Sequence, residues 1–215
     1  MRADSLCQLT TDGCAALRAY GIRTIVDLRH QQELDEAPHP FALPTSFENS
    51  PSYLHLPLEE WGNPDYSTAM RAAMSTEASY YPVMMEYFAG RLASVVHAIA
   101  QAPEGGVVVH CHAGKDRTGI VAAVLLAVAG VNGQTIAEDY ALSAALLQPR
   151  YEESVRQARS DEERARLAVP PKSPPERMLA TLDWIERRHG GVHGYLTHAG
   201  LSPEDVARLR ARLRS

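Results

Sequence analysis

Cysteine is scarce in this chain: three in 215 residues, at positions 7, 14 and 111. That is too few for a disulfide-stapled scaffold and fits a reducing compartment. Long apolar runs are missing too. The longest, Ile120–Ala129, has ten residues, against the ~20 needed to cross a bilayer. No basic-then-apolar leader opens the sequence, so the expectation is a cytoplasmic protein without integral membrane association. Positive charge is not in excess: 21 Lys and Arg against 26 Asp and Glu give a net charge of −5. A molecule of that balance is not built for nucleic acid, and any affinity for an anion must be local. What is abundant is apolar material, 45% of residues, enough for the core of one domain spanning 1–215.

Periodicity places the elements. Residues 10–21 read as a short helix capped by Thr10 or Thr11, with Gly21 just past its end. "IRTIVDLR" (22–29) reads as a strand, 30–51 as loop and "SYLHLPL" (52–58) as a second strand, followed by a polar loop. Apolar residues at helical spacing from Met84 to Ile99 predict one helix over about 80–102. "GVVVHC" is a short β-branched strand, expected at the centre of a sheet and buried on both faces. A nearly all-apolar helix follows it, then a helix over 132–148 capped by Asn132. Residues 149–175 are charged and bracketed by proline, and are read as a helical insertion, either a solvated connector or a lid. Two helices close the chain, the second capped by Ser202 with Pro203 at its first position. Strands early, helices late and a strand–loop–helix hinge indicate an α/β domain.

The hinge, "HCHAGKDRTG" (110–119), carries the chemistry. Between a strand end and a helix start, successive amides can curl into a nest, and the helix N-terminus adds unpaired donors and dipole. Gly114 permits the tight turn, and Arg117 can fork two hydrogen bonds onto an oxyanion. Cys111 stands at the base. A thiol among amide dipoles and cations is readily ionised, and a thiolate beneath a bound phosphoryl group is an in-line nucleophile.

The spacing Cys-x5-Arg-Thr resembles the signature of cysteine-dependent protein tyrosine phosphatases. The longer string is similar to bacterial atypical tyrosine or dual-specificity phosphatases, some of which also act on phosphoinositides. "IRTIVDLR", "IAEDYALS", "MLATLDWIERRHGGVHGYL" and "GLSPEDVARLRARL" resemble that branch as well. The resemblance implies a central mixed sheet flanked by helices, and no cofactor or metal. Cys111 would form a phosphocysteine, and Arg117 would bind the phosphate oxygens. Thr118 would hydrogen-bond the sulfur, and His110 would order the loop from beneath. Asp116 would be the general acid, with Asp65, Glu59 and Glu60 in the loop after the second strand as the competing carboxylates. His112, Ala113, Gly114 and Lys115 would line the phosphate, and Lys115 resembles residues of phosphoinositide phosphatases. The expected partners are phosphorylated proteins or phosphoinositides.

Asp27 and Arg29 lie on one side of their strand by period-2 spacing. One of them is expected to approach the loop and pair with Lys115 or Asp116, which puts Asp27 among the substrate-binding residues. The "HCH" triplet does not suit a metal, because adjacent strand residues point to opposite faces. His189, His193 and His198 lack acidic or thiol partners and are read as surface histidines. A nucleotide-binding loop would need glycine at Val109 and a hydroxyl at Asp116. A phosphate-recognition module without turnover is the alternative function, and the joint presence of Cys, Arg and Asp argues against it.

Overall fold

The computed structural model describes all residues except 43–49, 61, 77–78, 168–169, 171 and 215. Strand β1 (Arg2–Ala3) opens the chain, followed by α1 (Thr11–Ala19), β2 (Ile22–Asp27), α2 (Gln31–Glu36) and β3 (Ser52–His55). Then come α3 (Pro64–Met74), α4 (Tyr81–Tyr87), α5 (Ala89–Gln101), β4 (Gly106–His110) and α6 (Asp116–Ala129). The remainder is helical: α7 (Gly133–Arg156), α8 (Asp161–Leu167), α9 (Pro175–His189), α10 (Val192–His198) and α11 (Pro203–Arg214).

Caps fall where side-chain chemistry allows. Thr10 accepts from the Gly13 amide, Asn132 from Thr135 and Ser202 from Asp205, each satisfying a donor that the helix itself cannot. Two helices lie where loop was expected. α2 is started by His30, whose ring accepts from the Glu33 amide while Glu33 accepts from the His30 amide. α3 starts on an Asn63 cap with Pro64 at its first position. The helix expected over 80–102 is divided at Phe88, whose ψ of 28° breaks the run. α7 passes through Pro149 rather than ending before it, and runs on to Arg156. The predicted insertion therefore begins inside α7 and continues as α8.

The four strands described are ordered β1-β4-β2-β3, and every neighbouring pair is parallel. The mixed sheet expected is thus a parallel one. Each successive pair of strands is joined through at least one helix, and such a crossover returns the chain in its original direction. β4 does lie inside the sheet, between β1 and β2.

Alternation along the strands sorts the two faces. Val26 and Val109 face the larger core with α5, α6 and α9. Ile25 and Val108 face a smaller cluster with Leu6, Cys14 and Phe41, so Cys14 is core filler. The register Ile25↔Val108, Val26↔Val109 and Asp27↔His110 carries the same alternation to the carboxyl ends of the strands. Asp27 and His110 lie on the small-cluster side, and Cys111 packs with the larger core. The carboxyl edge of a parallel sheet is where open α/β folds place their ligands.

Candidate active site

Cys111 follows β4 directly and is 3% exposed. Residues 112–115 make the bend, and α6 begins at Asp116. Gly114 has a φ of +65° and Lys115 follows in right-handed helical conformation, the alternation of hand that turns consecutive amides toward one concavity. Gly114 also meets β1: a Cβ there would lie 2.4 Å from the Ala3 carbonyl oxygen. The Ser5 amide donates to His112 O at 3.1 Å, and Arg150 donates to His112 O at 3.2 Å and to Asp4 at 3.1 Å. The first helical bond reaching back into the loop is Gly119 N–H to Lys115 O, 2.9 Å. The amides ahead of it have no helical partner and remain for a guest.

Arg117 is aimed by two glutamates. Its terminal nitrogens donate to Glu33 Oε2 and Oε1 at 2.5 and 2.7 Å, and its Nε lies 3.4 Å from Glu59 Oε1. Glu59 is itself held by the Tyr66 hydroxyl at 2.7 Å. Burial works against the guanidinium charge, but Glu33, Cys111 and Glu59 outweigh it and push its pKa above the ordinary arginine value. Burial likewise pushes the Glu33 carboxyl up, and the Arg117 fork more than reverses this, leaving it below the usual range. Glu33 thus both completes the capping box of α2 and clamps Arg117.

Asp116 stands at the rim in the first turn of α6. Its Oδ1 accepts from the Tyr80 hydroxyl at 2.9 Å and the Tyr81 hydroxyl at 2.6 Å, and Oδ2 is 3.6 Å from Lys115 Nζ. The competing carboxylates are placed otherwise. Glu59 is committed to Arg117, Glu60 pairs with Arg91 at the surface, and Asp65 is exposed in the first turn of α3.

Three expectations are corrected. Asp27 is 0% exposed and does not reach substrate, Lys115 or Asp116. Its carboxylate takes two Arg29 nitrogens, the Arg29 amide and the Tyr53 hydroxyl, at 2.7–3.1 Å. Strand alternation is the cause: Asp27 faces the underside, across from His110. Arg29 is equally buried, and its guanidinium pairs with Asp27 and with carbonyls of α2 and its end. Thr118 makes no hydrogen bond to the sulfur. Its hydroxyl has no partner, and the residue borders a cavity of about 460 Å³ shared with Met1, Val109 and Val121.

His110 does lie beneath the loop. Its Nδ1 is 3.2 Å from the Cys111 carbonyl oxygen, Nε2 is 3.6 Å from Asp27 Oδ2, and its ring stacks on His39 with centroids 5.0 Å apart. Asp27, His39 and His110 bring possible metal-ligand atoms within 4.8 Å of one another. A guanidinium 2.7 Å from the same carboxylate opposes a second cation there. The group is a buried buttress, and it should be felt in acid. His39 is 1% exposed; burial, then the neighbouring His110, push its pKa down to about 3. The unfolded chain takes up that proton near pH 6.5 and the native one does not. Native stability is therefore fully present above pH 6.5 and lost as pH falls from there toward 3. Between pH 6.5 and 4.5 this amounts to about 2–3 kcal/mol. Urea unfolding of His39→Asn, which keeps an acceptor for the Phe41 amide, should lose much of that pH slope; equal slopes in variant and parent would refute the assignment.

A buried parallel strand, a tight bend holding a cysteine, and a clamped arginine at the start of the next helix together form the candidate site. The chain belongs to the tyrosine phosphatase family, which matches residues 1–215, and it is a phosphatase of that class. It is similar to a tyrosine-protein phosphatase of Nostoc commune, 29% identical over 226 residues that cover 99% of this chain and 73% of that protein. It is also similar to triple specificity protein phosphatase PtpB of Mycobacterium tuberculosis, 25% identical over 256 residues covering 99% and 89%. Among the described residues no helix is long and apolar enough to cross a membrane.

Proposed function

We propose that the chain hydrolyses phosphate monoesters through a phosphocysteine intermediate on Cys111, with Asp116 as general acid and then general base. Phosphotyrosine is the principal substrate, and phosphoserine, phosphothreonine and phosphoinositides are further ones. The observation that carries this reading is the arrangement around residue 111. One cysteine lies at the foot of a bend of unpaired amides, with a guanidinium fixed by Glu33 beside it and one carboxylate fixed at its rim. The guanidinium and amides would hold the equatorial oxygens as charge builds in the transition state. Asp116 would protonate the departing oxygen and then activate water.

Breadth of substrate is supported by Lys115, a second cation on the bend whose Nζ donates to Lys172 O at 3.4 Å, and by the triple specificity in the name of the mycobacterial relative. That bond, together with the one from Arg150 to the His112 carbonyl, supports the lid over the solvated connector as the role of the segment to which Arg150 and Lys172 belong. The test is a rapid acid quench during turnover of a phosphotyrosine peptide in the presence of chelator, followed by mass analysis of the peptide containing Cys111. A phosphate adduct on that cysteine is expected. Turnover with no adduct, or only with added metal, would refute the mechanism; binding without any phosphate release would favour the recognition module. A panel of phosphoserine and phosphothreonine peptides and phosphoinositides assayed alongside decides the breadth: no lipid release by an enzyme active on phosphotyrosine removes the lipid substrates.

A further inference from the structure

Asp116 is gripped by residues distant from it in sequence, and the direction of the hydrogen bonds can be worked out. Tyr80 and Tyr81 both place their hydroxyls on Oδ1. The Tyr81 hydroxyl is also 2.7 Å from that of Tyr140. Tyr81 is 0% and Tyr140 1% exposed, so water does not compete for these bonds. A phenol has one proton to give. Tyr81 gives its proton to the carboxylate, so it accepts at the other contact and Tyr140 donates. The Arg177 guanidinium is an electrostatic neighbour of Tyr140, and a guanidinium only donates. The same guanidinium lies over the Tyr80 ring, 5.0 Å from its centroid. Donors therefore run one way, from Tyr140 on α7 through Tyr81 on α4 to the loop, with the Arg177 cation of α9 beside them, and aligned bonds of this kind reinforce one another. Burial, and next the Asp116 charge, push the pKa of both Tyr80 and Tyr81 well above the ordinary phenol value, so both stay donors.

We propose that Tyr80 and Tyr81, backed by Tyr140 and Arg177, are positioning residues that commit Oδ1 of Asp116 to the protein and reserve Oδ2 for proton transfer. The inference rests on Asp116 being the acid of the proposed reaction. Cys111 Sγ bonds to phosphorus while the ester P–O bond breaks. The electron pair stays on the leaving oxygen, which takes the proton from Oδ2. Water then bonds to phosphorus and gives its proton to the Oδ2 carboxylate, the S–P bond breaks, and sulfur departs as thiolate. An acid held in this way by three helices is set in place before substrate arrives.

The test is a series of aryl phosphates whose phenols range from acidic to weakly acidic, since help from an acid matters most for the poorest leaving group. Asp116→Asn should lose about 10²–10⁴-fold in kcat on the poorest leaving group and much less on the best. Tyr81→Phe, which keeps the ring and removes the donor, should show the same trend at about 10–100-fold, a part of that acid contribution. KM should stay within about twofold, because a group acting only in the transition state leaves ground-state binding alone. The double variant should be no slower than Asp116→Asn, because the two act as a unit. A uniform Tyr81→Phe loss across the series, or losses that multiply in the double variant, would overturn the positioning role while leaving Asp116 as the acid. A flat series for Asp116→Asn itself would overturn the acid assignment and this inference with it. Tyr80→Phe gives a second reading of the same trend if Tyr81→Phe does not fold.

Discussion

Replacing Cys111 with serine should lower kcat by about 10⁵–10⁶-fold, the scale on which covalent enzymes suffer when their nucleophile is removed. A serine hydroxyl at the same place is a far weaker nucleophile than a thiolate, and neither of the other two cysteines stands ready to replace it. Cys7 pairs with the Ser5 hydroxyl, and Cys14 is packed in the small cluster. Binding should survive, because the parts that hold an anion are the amides of the bend and the Arg117 fork, neither of which involves sulfur. Calorimetric titration of the serine variant with inorganic phosphate or a phosphotyrosine peptide should return an affinity within a few-fold of the parent's. A variant retaining a tenth of the parental rate would mean that chemistry does not pass through this sulfur. A variant that neither binds nor turns over would mean that the substitution had disturbed the bend.

Arg117→Ala should cost about 10³–10⁵-fold in kcat, the range set by other arginines that meet a transferring phosphoryl group. Arg117→Lys keeps the charge but not the planar fork, so most of the loss should remain. A second consequence follows from Glu33 and Glu59, whose side chains are only 16% and 15% exposed. Deleting the guanidinium strands two carboxylates in a poorly solvated place, which should lower stability by about 2–3 kcal/mol, less than for a fully buried pair. Adding Glu33→Gln to Arg117→Ala should return part of that stability in urea unfolding and none of the activity. If stability and activity recovered together, the arginine's role would be structural.

The bend between β4 and α6 was legible because Cys111, Gly114, Asp116 and Arg117 are close in sequence and their backbone requirements are local. What surrounds them was less legible, for reasons particular to each residue. α2 was missed because its cap is a histidine, outside the Ser, Thr, Asp and Asn pattern that marks a helix start; Glu33 was missed with it. α3 carried a readable signal, Asn63 followed by Pro64, lost in a stretch that reads as polar loop. The proline at 149 marked a helix end that the structure does not make, since a long helix packed on α9 can forgo one backbone bond. Asp27 faces away from Cys111 because the register sets it beside His110, and the alternation within one strand does not say which residue of the next strand it meets. Tyr80, Tyr81 and Tyr140 lie in segments rich in apolar residues, where an aromatic reads as core; a buried phenol must still place its hydroxyl somewhere, and that requirement was the available signal.

One side of the bend at residues 111–117 is made by β1, whose ladder onto β4 is two residues long. Ala3 closes against Gly114, and the backbone of Ser5 anchors His112. Such a brief edge ladder is among the first parts of a sheet to detach. Detachment would free the bend to relax while the remaining strands and helices stayed assembled. The phosphatase is thus as durable as its outermost ribbon: a folded population can lose competence a few residues at a time.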